Sequence, residues 1–70
     1  MAVITASMAG NVWKLLVGKG EAVKAGDEVA ILESMKMEIP ITAEQDGIVK
    51  EVKTSEGDFI NEGDVLFEME

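Results

Sequence analysis

Shifted by 37 positions, the chain lies over itself. Ile4-Thr5-Ala6 falls on Ile41-Thr42-Ala43, Gly10 on Gly47, Val12 on Val49, Gly20 on Gly57, Gly26-Asp27 on Gly63-Asp64, and Glu33 on Glu70. These are nine identities among the thirty pairs that set residues 4–33 on 41–70. Val23 with Ile60 and Val29 with Leu66 add conservative matches. A solenoid needs about three or more repeats to bury a core. Two units can still close a single core if they face each other across a pseudo-twofold axis.

Each copy reads as short strands between turn residues. The pattern predicts strands over 2–7, 11–17, 22–24 and 28–33, and again over 38–43, 48–54, 59–61 and 65–69. Gly26-Asp27 and Gly63-Asp64 stand where the chain must reverse, glycine accepting positive φ and aspartate bonding nearby amides. At the end of the second copy Glu68 and Glu70 face water, which turns Phe67 and Met69 inward, and with them their partners Ala30 and Leu32. Val12 to Leu15 and Val49 to Val52 break strict alternation in the same way in both copies, predicting a bulge in each second strand. The expected fold is all-β: a flattened antiparallel β-sandwich or barrel of two quasi-twofold-related four-stranded halves. Helix propensity alone would favour a helix from Glu28 to Ile39, but the repeat register assigns that stretch to strands.

Composition removes many chemistries. With no cysteine and no histidine, the usual zinc, copper and haem ligands and the neutral-pH acid–base residue are missing. All six basic residues are scattered lysines, and the net charge is −8. That argues against nucleic acid and anionic membrane as partners. No basic leader and no apolar run near the roughly 20 residues of a membrane span can be read, so the expected location is cytoplasmic. Asp46, Asp58 and Asp64 lack calcium-loop spacing.

Between the copies lies Ser34-Met35-Lys36-Met37-Glu38-Ile39-Pro40, and its first four residues, Ser34 to Met37, are the junction turn. That turn must join strand to strand, yet carries none of the Asn-Gly or Asp-Gly chemistry that tight hairpins favour. Such conflict is expected where function chose the residues. Lys36 on a hairpin tip would offer its amine to solvent as a point of attachment. An enzyme using it as a Schiff-base nucleophile would need an apolar pocket, which a hairpin tip does not provide.

Glu33-Ser34-Met35-Lys36-Met37 resembles the biotinyl-lysine motif of biotin carboxyl carrier domains, usually Glu-Ala-Met-Lys-Met. The resemblance covers the whole chain, residues 1–70 as one biotinyl/lipoyl-attachment domain, with a glycine-aspartate turn on each side of the motif. It is closest to the small stand-alone biotin/lipoyl attachment proteins. Ala6-Ser7-Met8-Ala9-Gly10 departs from the family's Ala-Pro-Met-Pro-Gly, and the short spacing from Val17 to Val23 leaves no room for the protruding thumb of some carboxylase carriers.

The resemblance implies covalent biotin on Lys36, with Met35 and Met37 recognised by partners and Glu33 and Ser34 completing the motif. It implies biotin protein ligase, biotin carboxylase and carboxyltransferase as partners, and a carrier without catalysis of its own. Lipoate, as in a 2-oxo acid dehydrogenase-type complex, is the alternative cofactor. Lipoyl motifs usually place Asp before the lysine, where this chain has Met35. An unmodified interaction module is a further alternative. Trp13, next to inward-facing Val12, is expected to point outward, either as a partner contact or half-buried across an open sheet edge.

Overall fold

A computed structural model describes residues 2–70; Met1, which the reading of 1–70 as one domain includes, lies outside the described residues. Its strands are β1 (Val3–Thr5), β2 (Gly10–Leu15), β3 (Ala22–Val23), β4 (Glu28–Ser34), β5 (Met37–Thr42), β6 (Gly47–Val52), β7 (Phe59–Ile60) and β8 (Val65–Met69). Helix propensity across 28–39 loses to the register: β4 and β5 occupy that stretch as an antiparallel hairpin. The second strand of each copy stops at Leu15 or Val52, two residues short of expectation, because the chain then turns toward Gly18 or Ser55.

Two four-stranded sheets run in the orders β1-β8-β6-β3 and β5-β4-β2-β7, and every pairing is antiparallel. The 37-residue shift converts one order into the other strand for strand. Each sheet therefore takes two strands from each copy, the inner pair from one and the two edges from the other, so neither copy could complete a four-stranded sheet alone.

Fourteen described hydrophobic residues are buried, and they form seven pairs under the same shift. The pairs are Ile4/Ile41, Ala6/Ala43, Val12/Val49, Val23/Ile60, Val29/Leu66, Ala30/Phe67 and Leu32/Met69. Ala30 opposite Phe67 and Leu32 opposite Met69 vary in size, so the symmetric backbone encloses an asymmetric packing. The expected bulge is present twice: β2 skips Trp13 between Val12 and Lys14 against β4, and β6 skips Lys50 against β8. Alternation missed a second symmetric pair, at Val29 in β4 and Leu66 in β8. There the extra residue turns inward, so Val29-Ala30 and Leu66-Phe67 are buried consecutively.

The turns lock the copies together. Gly26 N–H donates to Ala43 O and Ala43 N–H to Asp27 O, at 2.8 and 2.9 Å; Gly63 N–H to Ala6 O and Ala6 N–H to Asp64 O repeat this at 2.9 and 2.9 Å. Within each turn the aspartate accepts from a backbone amide three residues earlier, Lys24 N–H to Asp27 Oδ2 (2.9 Å) and Asn61 N–H to Asp64 Oδ2 (2.8 Å). The turns require positive φ, +92° at Gly26 and +90° at Gly63. Gly26→Ala and Gly63→Ala are each expected to cost about 1–2 kcal/mol. Thermal unfolding checks this: the two variants should lose similar stability, and a loss at only one site would show that the copies do not contribute equally.

Candidate attachment site

The β4–β5 hairpin closes with Ser34 opposite Met37, leaving Met35 and Lys36 as a two-residue loop. Both residues have positive φ, 52° and 66°, as a type I′ turn demands. Neither has a side chain suited to that region. Holding two such residues there costs about 1–2 kcal/mol each. The twist of the flanking strands selects this turn, and the surrounding sheet enforces it.

The root of the hairpin is firm. β4 is an inner strand, paired with β5 on one side and β2 on the other, and Leu32 on its inner face is fully buried. Gly10 at the start of β2 packs so closely that an added Cβ would lie 2.9 Å from Glu33 O and 3.4 Å from Ser34 Cβ. The closing loop of the Ser7-Met8-Ala9-Gly10 segment thus braces the motif from the side, a role that only a residue without a side chain can fill here. The 37-shift pairs Gly10 with Gly47, where the neighbour is the Met69 methyl at 3.3 Å.

The tip is open. Met35 is 91% exposed and Met37 63%; Lys36, Glu33 and Glu38 are exposed and Ser34 half-buried. The structure thus gathers every predicted site residue at one end of one hairpin. Glu33 and Glu38 are directly opposite each other, a like-charge cross-strand pair that destabilises the ladder. Among the described residues no ion pair to either carboxylate offsets it. A cleft of about 210 Å³ lies elsewhere, against Ile4, Thr42, Glu44 and Met69. Its lining does not include Lys36. The three aspartates weighed as a calcium set serve separate turns: Asp46 accepts from Ala25 N–H (2.9 Å), Asp58 from Ser55 N–H (3.0 Å) and Asp64 from Asn61 N–H. Among the described residues no group of acidic side chains could hold a metal ion.

Sequence reasoning did not find Asn11 and Phe59, which continue the Glu38–Glu33 row across the sheet. The signal available in the duplication is that Phe59 falls on Ala22, where the first copy has no aromatic.

An all-β carrier fold with a lysine on a proud, braced hairpin defines a cofactor-attachment domain. The family described as "Biotin-requiring enzyme", biotin/lipoyl, matches residues 2–69, and the chain belongs to that family. It is 64% identical over 66 residues to the biotin/lipoyl attachment protein of Bacillus subtilis, covering 94% of this chain and 90% of that protein. It is 46% identical over 66 residues to the biotin-dependent acyl-coenzyme A carboxylase alpha3 subunit of Mycobacterium leprae, covering 94% of this chain and 11% of that subunit. In fold it is similar to the lipoyl domain of the 2-oxoglutarate dehydrogenase complex of Azotobacter vinelandii, with a TM-score of 0.76 and 27% identity over 96% of this chain and 95% of that one. The chain is a biotin/lipoyl carrier domain, with biotin or lipoate as its covalent group, and not a catalyst.

If the turn conflicts with its residues, relieving it must stabilise the fold. Replacing Met35-Lys36 by Asn-Gly is expected to add about 1–2 kcal/mol, a rise of roughly 4–8 °C in unfolding midpoint per kcal/mol for a domain of this size. A lower or unchanged midpoint would show that the hairpin holds no such conflict.

Proposed function

We propose that Lys36 carries biotin as an amide and that residues 1–70 act as one carrier domain, passing carboxyl groups between a biotin carboxylase and a carboxyltransferase. The observation that carries this reading is the hairpin tip, where an exposed Met35-Lys36 pair occupies a turn its side chains disfavour. Met35 immediately before the lysine supports biotin, since lipoyl motifs usually have Asp in that place. The likeness to the carboxylase subunit supports the same choice.

Acylation would proceed by attack of the neutral Lys36 amine on the carbonyl carbon of biotinyl-adenylate. The amide C–N bond forms, the carbonyl–O bond to AMP breaks, and the displaced proton passes to the ligase or solvent. Before that attack the ligase must take a proton from the ammonium. The product loses the lysine charge and gains an arm of about ten bonds, roughly 12–14 Å.

The domain then contributes reach and local concentration, while the cofactor contributes the chemistry. Met35 and Met37 offer flexible apolar contacts to each enzyme in turn, while Ser34, paired with Met37, and Glu33, paired with Glu38, form the base of the turn. A lipoyl group on Lys36 is the second reading, favoured by the fold likeness to the lipoyl domain.

The peptide containing Lys36, isolated from cells that make the protein and weighed, is expected to carry a biotin-sized adduct that Lys36→Arg abolishes. A lipoyl-sized adduct would select the second reading. A bare lysine would leave an interaction module.

A further inference from the structure

The duplication supplies an internal control for what the fold itself requires on its surface. The chain has three aromatic residues. Phe67 is buried, whereas Trp13 is 43% and Phe59 64% exposed. Both exposed rings belong to the sheet that carries the Lys36 hairpin: Trp13 is the bulged residue of β2, and Phe59 in β7 pairs with Asn11. The 37-shift puts Lys50 where Trp13 stands, Ala22 where Phe59 stands, and Glu68 where Ile31 stands. The other sheet is built to the same plan without those rings, and among the described residues the large hydrophobics it exposes are the aliphatic Val3, Ile48 and Val65. Folding therefore explains neither aromatic.

The register sets these groups on one outward face. Phe59, Asn11, Glu33 and Glu38 form one cross-strand row, and Lys14, Ile31 and Pro40 form the next outward row. Trp13 flanks that second row, with the Lys14 ammonium 5.3 Å from its ring centroid. The face is thus apolar and aromatic toward β2 and β7, and acidic beside the hairpin.

We propose that this face is the docking surface for the enzyme that acylates Lys36, and that it receives an apolar patch rimmed with lysine or arginine. The inference rests on the carrier reading above. Charge selects the partner's chemistry: Glu33 and Glu38 oppose each other without an ion pair among the described residues, and a cationic rim relieves that repulsion. A second copy of this chain is disfavoured as the occupant, because each copy carries a net charge of −8 and the two repel.

Reach selects which enzyme. The ligase must hold the lysine nitrogen itself at bonding distance, so its surface lies against the hairpin and its flanks. Enzymes acting on the end of the arm work roughly 12–14 Å farther out and need not touch the sheet. Glu33 is three residues from Lys36, about 10 Å along the strand, and β7 is two ladders from β4, about 10 Å across. One side of a standard interface covers about 800 Å², a disc roughly 30 Å wide. It spans both the tip and the aromatic face.

The test uses the double variant Trp13→Lys with Phe59→Ala, which installs the residues that the other sheet already tolerates at these positions. Acylation by a biotin protein ligase with biotin and ATP is followed by the mass of the Lys36 peptide. Wild type is expected to be loaded, and the variant to show KM raised about tenfold or more with kcat within about twofold. An unfolding midpoint within a few degrees of wild type checks that the variant is folded, and Ile31→Glu is the second variant if it is not. Pre-loaded variant is expected to serve a biotin carboxylase, with ATP and bicarbonate, as well as loaded wild type does. Unchanged KM in the variants overturns the docking face alone. So does normal acylation with impaired carboxylation, or a wild-type dimer in sedimentation that the variant abolishes. No adduct on wild type overturns the carrier reading together with it.

Discussion

The exchange of backbone hydrogen bonds between copies is the constraint on which the structure depends. Gly26 and Asp27 of the first copy bond to Ala43 of the second, and Gly63 and Asp64 return the pattern to Ala6. Gly20 and Gly57 do the same with Val49 and Val12, each at 2.8 Å. Each of these four glycine turns thus bonds to a strand of the other copy, or to the residue just past one, and each sheet needs strands from both. A short chain buries only about 60% of its unfolded surface. Interlocking lets two insufficient halves share one core, with seven buried residues contributed by each.

That symmetry also creates the site. The two copies must be joined once, and the junction is the β4–β5 hairpin. It is the one connection with no counterpart in the repeat. Its residues were free to follow chemistry, and they carry positive φ at Met35 and Lys36 in spite of their side chains. The strain is held because β4 is gripped on both sides and Gly10 presses against the carbonyl of Glu33. A rigid root with an exposed tip orients the lysine while leaving its end accessible, which is what an attachment point requires.

Much of this was legible in the sequence. The 37-residue repeat located all eight strands, the bulges beside Val12 and Val49, and the hairpin at Ser34–Met37, because turn glycines and inward residues recur in register. Three features were not legible. The repeat shows which strands correspond but not which ones pair, so the division of each copy between two sheets had to be seen. The bulges at Val29 and Leu66 hide inside apolar runs, where alternation carries no signal. The approach of Gly10 to Glu33 joins residues far apart in sequence, and a glycine without positive φ resembles any other strand residue. The missing turn chemistry singled out Lys36 and its neighbours as the candidate site, whereas the place of Phe59 on the same sheet emerged only once the register set it beside Asn11.

In the carrier function proposed here, position on the turn, and not mere exposure of an amine, makes Lys36 the attachment residue. Exchanging two neighbours, Met35→Lys with Lys36→Met, keeps the composition, the hairpin and a displayed lysine while moving the amine by one residue. Ligase-catalysed acylation of the two chains compares them directly. The displaced lysine is expected to react about a hundredfold more slowly or not at all, since small misplacement of a reacting atom costs that much. Equal acylation of both chains would contradict the account.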